Sequence, residues 1–159
     1  MDRRLVASLN RCIETCIDAE RAYSVAAAIA RSAELKAWFQ AKADERERFV
    51  IELQGTVDEL GAFPENEGSL KGAARRHFMN LARTIEPPLD DHRVVADLLR
   101  EERAALEAYD EAVPEEGTDR MQPDLRVMIR EQRAAIRLAE DALSRSMAAG
   151  SRATARAER

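Results

Sequence analysis

Apolar residues recur at steps of three and four along most of the chain, which is the pattern of amphipathic helices. A first such stretch runs from about Leu5 to Ala30, and a second follows Ser32. Serine favours the N-cap of a helix because its hydroxyl accepts a backbone N–H. The second stretch stops at Gly61, a residue suited to the position just past a helix, and Pro64 cannot continue it. The pattern therefore predicts two long helices joined by a short loop.

A different unit separates this pair of helices from the rest of the chain. Gly68-Ser69 opens a shorter amphipathic stretch from about Leu70 to Ile85, and Pro87-Pro88 ends it. The sequence thus predicts a short fifth helix inside a long connection.

Two more long helical patterns follow this connection. The third long helix is predicted from about Asp91 to Val113, and the fourth from about Pro123 to Ala148. Residues 114–119 are expected to form an exposed loop between them. Gly150 is expected to end the fourth helix, and residues 150–159 to form a disordered polar tail.

The connection lengths predict how the helices are arranged. Short loops make each pair of long helices an antiparallel hairpin, whereas the long middle connection reaches across the bundle. We therefore predict an all-α fold for a single domain over residues 1–149. It is a ferritin-like up-down four-helix bundle with a long crossover that contains the short fifth helix.

Composition and charge exclude several classes of protein. With 159 residues the chain makes one domain, and its net charge of -5 argues against binding nucleic acid. The sequence has neither an apolar run long enough to cross a membrane nor the apolar core of a signal peptide. Its two cysteines make no disulfide framework, so we expect a cytoplasmic protein.

Four polar residues fall on or beside the apolar stripes of the long helices, at about mid-height. Glu20 and Glu102 lie on the stripes of the first and third helices. Glu45 borders the stripe of the second helix, and Gln132 lies in that of the fourth. Buried carboxylates are costly unless they are paired, hydrogen-bonded or bound to a metal. Ferritin-like bundles hold a di-iron or di-manganese centre at this level, so these residues are candidates for a metal site.

The histidines test this candidate. A dinuclear centre in this fold takes a Glu on each of the first and third helices and Glu-x-x-His on each of the second and fourth. Here Glu45 is followed three residues later by Arg48, and Glu131 by an alanine. The two histidines, His77 and His92, lie elsewhere, and neither has a Glu three residues before it. Both histidine ligands are therefore missing from the sequence.

We interpret Arg48 as the replacement for the metal. A guanidinium is always charged, cannot coordinate a cation, and binds one or two carboxylates. Pointing inward, Arg48 would pair with Glu20, Glu45 or Glu102. The sequence then predicts a degenerate metal site with no cofactor expected, in a non-enzymatic structural or protein-interaction module. A stress-related role is one option for such a module.

The alternative is that carboxylates alone hold iron or manganese. The ligands of such a site would be Glu20, Glu45, Glu102 and Glu131. The protein would then be an oxidoreductase or a metal-storage protein, and the sequence leaves both alternatives open.

The remaining candidates are two tyrosines and two cysteines. Tyr23 and Tyr109 either donate hydrogen bonds to the buried glutamates or serve as core aromatics. Cys12 and Cys16, four residues apart, are either core residues or ligands for a soft metal such as Cu(I). The sequence has no Gly-x-Ser-x-Gly motif and no phosphate-binding glycine loop, so we expect neither a hydrolase nor a nucleotide-using enzyme.

Apolar pairs on helix surfaces indicate self-association. Val94-Val95 and Val127-Met128 are candidates for a seam between two copies of the chain. We therefore expect a homo-oligomer, in its simplest form a dimer.

Several motifs together resemble a known family. They are Asp18-Ala19-Glu20-Arg21-Ala22-Tyr23, Phe49-Val50-Ile51-Glu52-Leu53-Gln54, Leu60-Gly61-Ala62-Phe63-Pro64, Gly68-Ser69-Leu70-Lys71-Gly72 and Glu101-Glu102-Arg103-Ala104-Ala105-Leu106. From about Leu5 to Ala112 the chain resembles an uncharacterised bacterial family of ferritin-like four-helix-bundle proteins, a domain of unknown function. The resemblance implies the bundle fold, a cytoplasmic bacterial setting and self-association, and it brings no established reaction. The chain departs from the family at Arg75, Phe78 and Glu140, where the family has His, Trp and His.

Overall fold

The computed structural model describes residues 2–69, 91–112 and 121–157. These residues form four helices: α1 (Arg3–Ile29), α2 (Ala33–Glu59), α3 (Asp91–Ala112) and α4 (Pro123–Ala157). Within the described ranges there is no strand, so the predicted all-α class is confirmed. The predicted fifth helix, Leu70 to Ile85, and the predicted loop over residues 114–119 lie outside the described residues, as do Arg75 and His77.

The N-termini of α1 and α2 are capped by side chains. The carboxylate of Asp2 accepts the backbone N–H groups of Arg4 and Leu5, so α1 begins slightly earlier than the apolar pattern predicts. The hydroxyl of Ser32 accepts the N–H of Leu35 at 3.3 Å. The predicted Ser32 cap is therefore confirmed.

Helix α2 ends just before Gly61, as predicted. Gly61 adopts a positive φ of 72°, which L-residues with a side chain rarely take. Its N–H donates to the carbonyl of Asp58 at 2.8 Å, and the N–H of Ala62 donates to that of Val57 at 3.1 Å. These two bonds make a Schellman motif, which satisfies carbonyls at the end of the helix.

The predicted end of α4 is wrong. The helix passes through Gly150 and continues to Ala157, so no polar tail begins at residue 150. A glycine inside a helix costs only about 1 kcal/mol relative to alanine. The segment beyond it is rich in alanine and arginine, which favour helix, and it contains no proline.

Helix α1 packs against both α2 and α3. Only residues 30–32 separate α1 from α2, so these two helices run antiparallel. Cys16 contacts Tyr109 and Tyr23 contacts Glu102, so a later residue of α1 meets an earlier residue of α3. Helix α3 therefore also runs antiparallel to α1, and α2 and α3 point the same way.

Helix α4 packs mainly against α3. Arg103 pairs with Glu140 at 3.2 Å, and Asp110 pairs with Arg133. Because the residue numbers again run in opposite directions, α4 is antiparallel to α3. Within the described residues, α4 has fewer contacts with α2 than with α3.

The apolar core forms two clusters along the bundle. One contains Leu9, Ile13, Leu53, Val57, Tyr109, Ile129 and Ile136. The other contains Tyr23, Ala26, Phe39, Ala43, Leu98 and Leu143. Along α2, Arg46 lies between the residues of the two clusters, and Glu102 does so along α3. The core is thus interrupted by charge near its middle.

The loop that follows α2 is held against α1 through its backbone. The amide nitrogen of Asn10 donates to the carbonyl of Phe63 at 3.2 Å, and its oxygen accepts the N–H of Glu65 at 2.9 Å. Gln54 donates to the carbonyl of Glu65 at 2.8 Å. Asn10 therefore binds a donor and an acceptor of the loop at once.

A second contact of this loop requires glycine. The N–H and hydroxyl of Ser69 both donate to the Asp18 carboxylate, and Arg21 donates to the carbonyl of Glu67 at 2.7 Å. Between them Gly68 has a φ of 76°, and a Cβ there would lie 2.7 Å from Asp18 Oδ1. Both the backbone angle and the space exclude a side chain.

No helix in the described ranges has an apolar stretch long enough to cross a membrane.

Three glycine-to-alanine variants separate the effect of backbone strain from that of the close contact with Asp18. Gly55→Ala, in exposed helix with open space around it, should raise the free energy of unfolding by about 1 kcal/mol. Gly61→Ala meets no atom but strains the backbone, so it should lower that free energy by about 1–2 kcal/mol. Gly68→Ala should lower it further, because the methyl group also displaces Asp18. Urea unfolding measures all three, and equal losses at residues 61 and 68 would contradict the close contact with Asp18.

Candidate functional site

A buried ion pair joins α2 to α3 in the middle of the core. The side chains of Arg46 and Glu102 are both 0% exposed. Arg46 Nη2 donates to Glu102 Oε1 at 2.7 Å and to Oε2 at 2.9 Å. The hydroxyl of Tyr23, on α1, donates to Glu102 Oε1 at 2.6 Å. Three helices therefore meet at one carboxylate.

The ion pair continues toward the surface along α2. Arg46 Nη1 donates to Glu45 Oε2 at 2.7 Å, and Lys42 Nζ bonds the same oxygen at 3.0 Å. Lys42 and Glu45 are only partly buried. Two positive and two negative groups thus alternate from Lys42 to Glu102, and their formal charges cancel. We call Lys42, Glu45, Arg46, Glu102 and Tyr23 the charged network.

Aromatic rings complete the surroundings of Arg46. Its guanidinium carbon lies 5.3 Å from the ring centre of Phe49 and 6.0 Å from that of Tyr23. Rings at this distance attract a cation through their negative faces. Arg46 Nε is buried and has no hydrogen-bond partner among the described residues.

The protonation of the charged network follows from burial and from its own charges. Burial raises the pKa of Glu102 above its ordinary value, while Arg46 and the Tyr23 hydroxyl hold the pKa down. Burial alone would lower the pKa of Arg46, but the attraction of Glu102 together with the effects of Cys16 and Tyr23 outweighs it, and the pKa rises. Burial and the Glu102 carboxylate both raise the pKa of Tyr23. Tyr23 therefore remains a hydrogen-bond donor, and its donated bond favours the charged form of Glu102.

A second polar network crosses the core and involves all four helices. The hydroxyl of Tyr109 donates to Gln132 Oε1 at 2.6 Å, and Gln132 Nε2 donates to Glu52 Oε2 at 2.7 Å. Cys16 Sγ lies 3.3 Å from the Tyr109 oxygen. Since the one proton of Tyr109 goes to Gln132, the Cys16 thiol is the donor in that contact. We call Cys16, Tyr109, Gln132 and Glu52 the neutral relay, because its buried members carry no charge.

The two cysteines are protonated, unreactive thiols at neutral pH. Cys12 and Cys16 are free thiols and both are buried. Burial raises the pKa of Cys16 to about 11, and burial together with Cys16 raises the pKa of Cys12. The thiolate is the form that attacks electrophiles and binds metals. At neutral pH neither residue supplies it.

The structure brings five of the eight predicted site residues into these two networks. Tyr23, Glu45 and Glu102 belong to the charged network, and Tyr109 and Gln132 to the neutral relay. The other three are placed elsewhere. Glu20 is half-buried and accepts a hydrogen bond from the Ser24 hydroxyl at 2.9 Å, whereas Glu131 and Arg48 are exposed.

The prediction that Arg48 points inward is wrong, because Arg46 occupies that position. The prediction rested on the three-residue spacing from Glu45, which is the spacing of a Glu-x-x-His pair. A helix turns by about 100° per residue, so two positions change the face completely. Arg46 lies seven residues from both Phe39 and Leu53 on the apolar stripe of α2. That periodicity is the signal that could have identified it.

The donor set does not fit a dinuclear metal centre. Both oxygens of Glu102 accept hydrogen bonds from Arg46, and one also accepts the Tyr23 hydroxyl. Glu20 and Glu131, two of the four expected ligands, are not part of the charged network. In the parts of the chain that the structure describes, no three His, Cys, Asp or Glu residues come close enough to hold a metal ion.

An open cleft of about 500 Å³ lies between α3 and α4. Its walls are mainly charged and include Arg103, Asp110 and Glu140. Arg103 pairs with Glu140, and Asp110 pairs with Arg133. These side chains hold the two helices together across the cleft.

Removing one member of the buried pair tests its role in the fold. Arg46→Met leaves the Glu102 charge buried without its partner, which should lower the free energy of unfolding by about 3–5 kcal/mol. Adding Glu102→Leu to that variant should recover most of the loss, because the uncompensated charge disappears. Urea unfolding checks both.

The control is Arg48→Met, the same change at the exposed arginine two residues away. It should alter the free energy of unfolding by no more than about 0.5 kcal/mol. Similar losses at residues 46 and 48 would contradict the buried pairing.

Alkaline pH tests the neutral relay. The pKa of Cys16 rises from 9.0 to about 11 on folding, so the folded state binds its proton more tightly than the unfolded state does. The contribution of Cys16 to stability is complete below pH 9 and is lost as the pH rises toward 11. A difference of one between the pKa values of the folded and unfolded states corresponds to about 1.4 kcal/mol of stability.

The matched variant is Cys16→Ser, which keeps a hydroxyl donor for Tyr109 and does not titrate in this range. Urea unfolding between pH 8 and pH 11 should give a shallower fall in stability than for the wild type. Parallel curves for the two proteins would mean that burial of the Cys16 thiol does not contribute to the alkaline loss.

Comparison with known proteins gives one finding. No curated protein and no solved structure matches the chain. A family described as "Domain of unknown function (DUF2383)" matches residues 4–115, well over half of the 159 residues. The matched part holds α1, α2 and α3 with Arg46 and Glu102, and α4 lies beyond it. The chain therefore belongs to this family of domains of unknown function.

Proposed function

We propose that the protein is a ferritin-like bundle in which an arginine takes the place of a metal centre. In this proposal it is a non-enzymatic structural or protein-interaction module that self-associates. The observation that carries the proposal is the fully buried guanidinium of Arg46, bonded to Glu102 and Glu45 in the middle of the core.

The directions of the helices support the ferritin-like arrangement. Because α1 is antiparallel to both α2 and α3, the chain leaves the end of α2 and must return to the opposite end of the bundle to begin α3. A connection of this kind is the single long crossover of ferritin-like folds. The segment between Ser69 and Asp91 is long enough to make it.

The balance of charge supports the replacement of a metal. In a dinuclear carboxylate site, inward glutamates surround cations that neutralise them. In the charged network the carboxylates are those of Glu102 and Glu45, and the cations beside them are Arg46 and Lys42. A guanidinium satisfies carboxylate oxygens with directed hydrogen bonds, and Arg46 and Tyr23 together engage both oxygens of Glu102 in this way.

The chemistry of the described core residues supports a role without catalysis. The thiol of Cys16 is protonated at neutral pH, and the hydroxyls of Tyr23 and Tyr109 are engaged as donors to Glu102 and Gln132. A general base or nucleophile needs a group that is poised near the working pH and within reach of a substrate. These groups lie buried, and their pKa values lie far above neutrality.

Metal binding by the whole protein tests the proposal. The protein is purified from cells grown with added iron and manganese, and its metal content is measured by elemental analysis. Titration with Fe(II) and with Mn(II) follows, with the melting temperature as a second readout. We expect less than stoichiometric metal and no increase in melting temperature from either ion, since the described residues place no three potential ligands together.

Two variants make the result specific. Glu102→Gln removes the central carboxylate, and Glu131→Gln removes an exposed one that the carboxylate alternative also requires. We expect both to match the wild type in metal content. Stoichiometric iron or manganese in the wild type that Glu102→Gln abolishes would overturn the proposal in favour of a carboxylate-based metal protein.

A further inference from the structure

Large apolar side chains on one face of α4 are exposed to solvent. Val127 is 53% exposed and Leu138 is 68% exposed, and Ala134 between them is also exposed. Leu138 lies nine residues, about two and a half helical turns, from the fully buried Ile129. It therefore points directly away from the core, and packing among the described residues does not explain its position.

Two opposite charges flank Leu138 on the same face. Glu131 precedes it by seven residues and Arg145 follows it by seven, which is about two helical turns in each direction. Both side chains are exposed, and neither has an ionic partner among the described residues. We call Val127, Glu131, Ala134, Leu138 and Arg145 the outward face of α4.

We propose that a second copy of this chain covers the outward face, with the two α4 helices antiparallel across a two-fold axis at Leu138. An axis at Leu138 brings Leu138 against its own counterpart. It also brings Glu131 opposite Arg145 of the second copy, and by symmetry this ion pair forms twice. An isologous interface requires such a self-complementary surface, because the same patch is used by both subunits.

The small residues on either side of Leu138 fit the same arrangement. Ala134 lies four residues before Leu138 and Ala142 four residues after it, so each faces the other across the axis. Alanines allow two helices to approach closely, which brings the leucines and the flanking charges into contact. From Val127 to Ala149 the helix offers about 33 Å of length for this packing.

The proposal rests on the interaction role proposed above and names its partner. It locates the predicted self-association on α4, using Val127 of the candidate seam and not Val95, which is buried inside the bundle. Metal content plays no part in it, so its failure and the failure of the metal-free role are measured separately.

Disulfide trapping tests the axis. Leu138→Cys places a thiol next to its own counterpart, so mild oxidation should convert most of the protein to a covalent dimer. The native cysteines are buried and should not contribute. The control is Ile51→Cys, since Ile51 on α2 is 61% exposed and lies away from α4's outward face. Equal crosslinking of the two variants, or none at residue 138, would overturn the proposed axis.

A charge exchange tests the register. Sedimentation velocity over a range of concentrations should give a dimer for the wild type. Glu131→Arg alone, or Arg145→Glu alone, should raise the dimer Kd by roughly tenfold or more, because like charges then face each other. The double variant should restore the wild-type Kd.

Circular dichroism confirms that each variant keeps its helices. A monomeric wild type would overturn the proposal, as would a double variant that stays as weak as the single ones. Recovery of the wild-type Kd in the double variant supports the direct pairing of the two residues, because a purely structural role of either residue would not restore dimerisation.

Discussion

The buried pair of Arg46 and Glu102 is the interaction on which the rest of the bundle depends. Removing two charges from water is costly, and the cost is offset only where geometry and further hydrogen bonds are good. Here Tyr23 donates to Glu102, Glu45 accepts from Arg46, and two aromatic rings lie beside the guanidinium. A shift of α2 by one residue would turn Arg46 by about 100° and leave Glu102 without its partner. The pair therefore fixes the register of three helices, which apolar packing alone specifies less strictly.

The neutral relay extends this constraint to the fourth helix. Gln132 uses its oxygen for Tyr109 of α3 and its nitrogen for Glu52 of α2, so α4 is tied to two helices at once. An amide is suited to this position because it is a donor and an acceptor without carrying a charge. The charged network and the neutral relay have different roles in the core. One balances charge among α1, α2 and α3, and the other orients α4 without adding charge to the core.

Periodicity and capping chemistry predict most of the helices, because both depend on neighbouring residues. The Ser32 cap and the Gly61 stop are local features of this kind, and the structure confirms them. The position of Arg46, in contrast, depends on a residue of another helix. Its side chain is stable inside the core only because Glu102, on another helix, lies opposite, and the sequence does not state that pairing. The spacing from Glu45 favoured Arg48, whereas the apolar stripe of α2 already contained Arg46.

If an arginine replaces the metal, as proposed, the protein binds its partners through its surface and not through a metal site in the core. A metal site binds only when its ion is supplied, and its contribution to stability depends on the concentration of free metal. A guanidinium belongs to the chain, so the bundle is complete as soon as it folds. In the charged network the buried carboxylate of Glu102 is then already paired with a cation of the chain itself. Among the described residues, Leu138, Glu131 and Arg145 on the outside of α4 remain exposed and available for binding. Association through that face is therefore the kind of activity that such a bundle retains.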